Sequence, residues 1–169
     1  LKDLLSQIPK DVARYFFLEK SLDTHLEFDL ELAKEQSSKN PVYYIQYAFA
    51  RINSVFERAG NFKSLNSKYL NQKLLEEKEE LDLIRWLIRF PEIIFEISQN
   101  IKISKSPPVH HLPRYAFELA GRFHKFYETH RIISEDEKLS KARLALAEAV
   151  QKVLSGSLVL MGLSAPEKM

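Results

Sequence analysis

Two tyrosines and two arginines share one face of a predicted helix in the first third of the chain. Asn40-Pro41 predicts the start of this helix, with asparagine as N-cap, and Gly60 predicts its end near Ala59. At about 100° per residue, one cluster of side chains lies roughly 150° from the apolar stripe. It consists of Tyr44, Tyr47, Arg51 and Arg58. Tyrosine rings stack on unpaired nucleobases, and arginine adds charge and a planar set of donors.

The opposite face of this helix is apolar at steps of three and four residues, which is typical of a helix packed on a core. The stripe contains Val42, Ile45, Phe49, Ile52, Phe56 and Ala59. A tyrosine face opposite such a stripe can also pack on a neighbouring helix as a second layer. The pattern therefore leaves a structural and a base-binding interpretation open.

A second predicted helix, from about Leu112 to Ile132, repeats the pattern. Its core stripe contains Leu112, Ala116, Leu119, Phe123 and Phe126, and the edge of the stripe carries His124, Tyr127 and Arg131. A solvated helix flank is the simpler interpretation of one such strip. Two strips in one small domain favour a binding surface over two unrelated flanks.

The remaining segments also predict helices and turns. A short helix is expected over Pro9 to Lys20. A second short helix, capped by Asp29, is expected to run to about Gln36. Helical stretches follow on either side of Leu75, and Pro91 breaks the second near Phe90. An S-x-x-E capping box at Ser134 and Glu137 predicts the start of the last long helix, which ends near Met161 before Gly162.

No convincing alternating strand pattern occurs, and only 4 of 169 residues are glycine. We therefore predict an all-α helical bundle of about five main helices over residues 37–169, with residues 1–36 as a connecting segment, part of which packs loosely. Because the chain starts at Leu1 instead of Met, we expect it to be a fragment of a longer polypeptide. No apolar run is long enough to span a bilayer, and no signal peptide is visible, which favours a cytoplasmic protein.

Several kinds of chemistry find no support in the residues. The chain has no cysteine, and the spacing of His110, His111, His124 and His130 matches no structural zinc pattern. No glycine-rich phosphate loop and no nucleophile–base–acid arrangement is visible. We therefore predict no metal site, no catalytic residue and no cofactor in this chain.

Six segments, in chain order, carry a resemblance to a known family. They are residues 11–18 (DVARYFFL), 26–30 (LEFDL), 40–52 (NPVYYIQYAFARI), 90–92 (FPE), 123–127 (FHKFY) and 165–169 (APEKM). Together they resemble the C-terminal part of arginyl-tRNA synthetases over nearly the whole chain. Phe49 stands where the family usually has histidine, and it lies in the core stripe, where an apolar side chain is tolerated. Pro113 stands where alanine is common, and proline is tolerated in the first turn of a helix.

The resemblance implies that the domain binds the anticodon stem-loop of arginine tRNA. The implied anticodon contacts are Tyr44, Tyr47, Arg51, Tyr127, Arg131 and Met169, and the possible phosphate contacts are Arg58, Lys102, Lys105 and His124. Residues 102–106 (KISKS) look like the ATP-binding KMSKS of class I synthetases, but the predicted helices around them make this a coincidence. The parent enzyme would ligate arginine to its tRNA with ATP and magnesium in a catalytic domain upstream of Leu1, so this chain alone should be inactive.

The expected partner is therefore tRNA, with no membrane and no DNA partner, and a monomer is favoured. Two other interpretations stay open. The domain could belong to a related class I synthetase of the cysteinyl type, although APEKM and NPVYY favour arginine. It could also be a helical protein-interaction module, which salt-dependent tRNA binding would distinguish because phosphate contacts release counterions.

Overall fold

The computed structural model describes residues 2–25, 27–60 and 74–169, which form eight α-helices and no strand. They are α1 (Lys2–Leu5), α2 (Lys10–Leu18), α3 (Leu30–Lys34), α4 (Pro41–Ala59), α5 (Lys78–Ile88), α6 (Phe90–Asn100), α7 (His111–Thr129) and α8 (Glu137–Met161). The prediction of an all-α bundle is confirmed, and the five long helices are α4 to α8. The predicted loop over 61–66 and most of the helical stretch before Leu75 lie outside the described residues.

α7 is the central helix of the bundle and packs against α4, α5, α6 and α8. The predicted stripes of α4 and α7 supply much of this core, because Ile45, Ile52, Leu119 and Phe123 are fully buried. Each such side chain contributes about 1.5–3 kcal/mol relative to an exposed one. The two tyrosine-bearing helices are therefore held against each other by their own apolar faces.

The ends of the long helices follow the predicted signals in most cases. The Asn40 side chain accepts a hydrogen bond from the Val42 amide at 3.0 Å, and its own amide donates to the carbonyl of Glu35 at 2.9 Å. Gly60 and Gly162 end α4 and α8 with φ of 55° and 68°, values that favour glycine.

The predicted capping box before α8 is wrong. The N-cap is Asp136, whose carboxylate accepts from the amides of Lys138 and Leu139 at 2.9 and 3.0 Å. Ser134 instead pairs with the hydroxyl of Ser140, which its amide contacts at 2.9 Å. Asp136 therefore caps the helix, and Ser134 fastens the preceding turn to its first turn.

Residues 1–36 include one helix, α2, that packs firmly in the bundle; the expectation that part of this segment packs loosely stays a prediction. Tyr15 is 1% exposed, and its hydroxyl donates to the Pro113 carbonyl at 3.4 Å. The Asp11 carboxylate accepts from the Ser164 amide at 2.8 Å, which ties α2 to the segment after α8. The α2 helix thus belongs to the core, while the division between residues 36 and 37 stays a prediction.

By length and composition, α8 is apolar enough to cross a membrane, contrary to our expectation for the sequence. Its most apolar 18-residue window has a mean hydropathy of 1.4, and half of that window is buried inside the bundle. The core helix of a soluble protein satisfies the same criterion, so the finding is weak evidence for a membrane span.

A buried ion pair connects α5 to α8. The Nε of Arg143 donates to Glu80 at 2.7 Å, and the Glu80 side chain is fully buried. The second oxygen of Glu80 accepts from the Glu77 amide at 3.0 Å, and Arg143 also donates to the Arg131 carbonyl at 2.9 Å. The acidic run at 76–80 is therefore partly a core element.

We expect Glu80→Gln to lower the free energy of unfolding by about 3–5 kcal/mol, because breaking a buried pair leaves the charge of Arg143 uncompensated. Urea denaturation measures the effect. The control is Glu137→Gln, which removes an exposed partner of Lys141 on α8 and should change the midpoint little. Equal midpoints for the two variants would contradict a structural role for the buried pair.

Candidate nucleic-acid interface

Three parts of the chain meet at one end of the α4–α7 contact. α4 provides Tyr47 and Arg51, α7 provides Tyr127, and the segment 162–169 returns along α4 after α8. Hydrogen bonds fix this return: Gln46 donates to the Ser164 carbonyl at 2.9 Å and Asn53 to the Glu167 carbonyl at 3.4 Å. The fold thereby carries the last residues of the segment to the predicted tyrosine face.

Arg51 contacts two aromatic rings in this region. Its guanidinium carbon lies 4.5 Å from the ring centre of Tyr47 and 4.7 Å from that of Tyr127. It also donates to the Tyr47 hydroxyl at 2.6 Å. Cation–π contacts of this kind are worth about 0.5–1 kcal/mol at exposed sites. The two rings and the guanidinium form one connected surface, with Tyr47 about one third exposed.

A pocket of about 490 Å³ adjoins this surface. It is lined by Tyr47, Ala50, Arg51, Ser54, Glu57, Arg58, Tyr127, Lys168 and Met169. Three of these side chains are cationic and one is anionic, and Lys168 lies 3.4 Å from the Glu57 carboxylate. A basic pocket with aromatic walls can stack a flat ring and hold an anion beside it.

A second pocket of about 260 Å³ shares two residues with the first, Arg58 and Tyr127. Arg131 and His130 also line it. The prediction that Arg131 lies on the α7 helix is wrong, because α7 ends at Thr129 and Arg131 follows it in the turn. Its exposed side chain nevertheless lies beside Tyr127, as the site prediction requires.

Tyr44 differs from Tyr47 in its surroundings. It is half-buried, with its ring centre 5.2 Å from Phe117 and 4.5 Å from His124. Burial raises the pKa of Tyr44 above its ordinary value. The ring lies over Gly121 of α7, where an added Cβ would lie at an ordinary contact distance of 3.5 Å from the tyrosine hydroxyl. Tyr44 therefore supports the surface from below more than it forms it.

His124 does not suit the predicted phosphate contact, because its side chain is only 6% exposed. Its Nε2 lies 3.3 Å from the Tyr44 carbonyl, so this nitrogen carries the hydrogen and donates. Burial lowers the pKa of His124, which favours the neutral ring. The histidine is a packing and hydrogen-bonding residue beneath the tyrosines.

The structure does not bring Lys102 and Lys105 to this site. Both lie in the segment between α6 and α7, and Lys102 lines an apolar groove of about 750 Å³ beside Val109 and Leu112. Tyr127 is at the other end of α7, about 24 Å along the helix axis from the first residue of that helix, His111. If the two lysines contact phosphates, they contact a different part of the ligand.

Sequence reasoning missed Lys168 and Ser54 at the site. The A-P-E-K-M segment was recognised, but only Met169 was assigned a contact, because no local pattern shows that the segment returns along α4. Within residues 2–25, 27–60 and 74–169, no group of three or more potential ligands could hold a metal ion.

Comparison with known proteins shows the family to which this fold belongs. The structure aligns with an arginyl-tRNA synthetase from Campylobacter jejuni with a TM-score of 0.77 and 31% identity, over 99% of this chain and 35% of that one. It also shares the fold of the Plasmodium falciparum arginyl-tRNA synthetase (TM-score 0.78, 24% identity, 99% of this chain and 28% of that one). The chain belongs to the DALR anticodon binding domain family, whose model matches residues 45–169.

Curated relatives agree with this assignment. The chain is 45% identical to the arginine–tRNA ligase of Symbiobacterium thermophilum and 44% identical to that of Geobacter metallireducens, over its whole length. It spans only about 30% of the length of these relatives. The chain is therefore an anticodon-binding domain of the kind found in arginyl-tRNA synthetases.

The lowered pKa of His124 predicts a pH dependence of stability. The unfolded chain takes up a proton near the ordinary pKa of 6.5, whereas the folded chain resists it, so stability is lost as the pH falls below about 6.5. Urea denaturation between about pH 7 and pH 5 should show this loss. His124→Gln should weaken it and leave the part due to His110, whose pKa is also lowered by burial. An unchanged slope would contradict the buried, neutral state of His124.

Proposed function

We propose that this domain binds the anticodon loop of arginine tRNA in the pocket formed by Tyr47, Arg51, Tyr127 and Met169. The observation that carries the proposal is the contact of Arg51 with both tyrosine rings at the wall of the 490 Å³ pocket. An unpaired base stacks on aromatic rings without regard to its sequence, and arginine adds hydrogen-bond donors for its edge or for a phosphate.

The charge around the pocket supports an RNA ligand. Arg58 lines both pockets and Arg131 lines the smaller one, so each pocket that Tyr127 lines also contains at least one arginine. A base held in the pocket would place its flanking phosphates near these two arginines. Phosphate contacts position the RNA, whereas contacts to base edges select its sequence.

We further propose that the longer protein is an arginine–tRNA ligase, as the names of the relatives say of those proteins. Its use of ATP with magnesium would require parts of the relatives that this chain does not match. A cytoplasmic location and a monomeric state are likewise proposals. Membership in a family of tRNA-binding domains supports the first, and no observation on the described residues favours an oligomer.

Tyr47→Ala should weaken binding of an arginine tRNA transcript about 5- to 150-fold, because stacking on one aromatic ring contributes about 1–3 kcal/mol. The side chain is partly exposed, so its removal should change the melting temperature little. Filter binding or fluorescence anisotropy, with a lysine tRNA transcript as reference, measures the loss.

Arg58→Ala should also flatten the salt dependence of binding, since each lost phosphate contact lowers the slope by about one unit.

The matched control is Phe49→Ala, two residues from Tyr47 on the buried face of α4. This change should lower the free energy of unfolding by about 3–5 kcal/mol through loss of packing and the cavity that it leaves. Binding per folded molecule should stay close to that of the parent. If Tyr47→Ala unfolds the domain and leaves binding per folded molecule unchanged, the pocket is a packing feature and the proposed function is wrong. Absence of salt-dependent tRNA binding would argue instead for a protein-interaction module.

The isolated chain should show no arginine-dependent exchange of ATP and pyrophosphate, with or without tRNA. The KISKS segment connects α6 to α7, and the residues that the structure describes form helices and no strand, so they provide no nucleotide-binding sheet around it. A radioactive exchange assay on the purified chain, with a complete arginyl-tRNA synthetase as positive control, measures this. Exchange above background that survives further purification would contradict the interpretation of that segment as a coincidence.

A further inference from the structure

We infer that His124 is a positioning residue, which holds the ring of Tyr47 in the orientation that receives a base. The inference rests on the proposed function of the pocket. His124 itself lines neither pocket at the site and is nearly fully buried, so it does not touch the ligand. Its effect would pass through the tyrosines that it contacts.

The geometry around the imidazole supports this role. The rings of His124 and Tyr47 are stacked, with centres 5.7 Å apart and planes at 26°. Tyr47 also contacts the guanidinium of Arg51. A tyrosine that is one third exposed on a helix surface would otherwise sample several rotamers. Contacts with the imidazole and the guanidinium restrict it to one, so that less entropy is lost on binding.

Histidine combines two properties that the position uses. Its flat ring stacks on Tyr47 and packs against Tyr44, and its Nε2–H donates to the Tyr44 carbonyl, which links α7 to α4. Phenylalanine would keep the ring and lose the donor. Glutamine would keep a donor and lose the ring. The charged groups that act on the imidazole are Arg51 and Glu128, and burial lowers the pKa of His124, which favours the neutral ring.

A double-variant cycle on tRNA affinity tests the inference. The four proteins are the parent, His124→Leu, Tyr47→Ala and the double variant, measured at a temperature at which circular dichroism shows all of them folded. His124→Leu should weaken binding of arginine tRNA about 5- to 10-fold, the lower part of the range for a lost stacking ring. In the Tyr47→Ala background the same change should cost less than about 2-fold, because the ring that it positions is gone.

Two further measurements sharpen the result. His124→Phe and His124→Gln should each bind more tightly than His124→Leu, because each keeps one of the two properties of histidine. If His124→Leu does not fold, these two variants take its place in the cycle. The salt dependence should keep its slope in all His124 variants, since no phosphate contact is removed. His111→Gln, at the other end of α7, is the control and should bind as the parent does.

The possible outcomes separate the inference from the proposed function. If Tyr47→Ala weakens binding and the His124 change costs the same factor in both backgrounds, the positioning role is overturned and the pocket assignment stands. If the salt slope falls with His124→Leu, the histidine contacts phosphate and the inference is overturned. If Tyr47→Ala leaves affinity unchanged, the proposed function fails, and the inference fails with it.

Discussion

The buried ion pair of Glu80 and Arg143 is the constraint on which the arrangement of the site depends. Burying both charges costs several kcal/mol per ion, and this cost is offset only if the remaining donors and acceptors are also satisfied. Here the satisfying groups are the Glu77 amide and the Arg131 carbonyl. One interaction thus fixes the start of α5, the path of α8 and the turn after α7. That turn carries Arg131 to its place beside Tyr127.

The site is assembled from distant parts of the chain, so its geometry depends on the bundle as a whole. α4 and α7 contribute the rings, and the segment after α8 closes the pocket because α2 and α4 both bind it. The Asp11 carboxylate holds the Ser164 amide, and Gln46 holds the Ser164 carbonyl. A change at Asp11 would therefore act on the pocket through Met169 without touching the ligand.

Features decided by local chemistry could be predicted from the sequence. The caps at Asn40, Gly60 and Gly162 depend on neighbouring backbone groups, and the placement of Tyr47 and Arg51 off the core follows from helix periodicity. Features decided by tertiary contacts could not be predicted. Ser134 has a side chain that could cap α8, but in the structure it pairs with Ser140. His124 is buried because Tyr44 and Tyr47 cover it. The turn after α7 is likewise held by a tertiary contact, because Arg143 of α8 donates to the Arg131 carbonyl.

The two tyrosines of this face have different surroundings, so the packing interpretation applies to Tyr44, and the base-binding interpretation stays a prediction for Tyr47. Tyr44 packs on Phe117 and His124 as a second layer, whereas Tyr47, one turn further along α4, reaches the pocket. The same α7 side chain supports both rings. Arg51 contacts both Tyr47 and Tyr127, so a base stacked on either ring would lie close to the guanidinium. A ligand with unpaired bases and phosphates suits this arrangement, because its base stacks on a ring and its phosphate or base edge accepts from the guanidinium, whereas an apolar peptide side chain uses only the ring contacts.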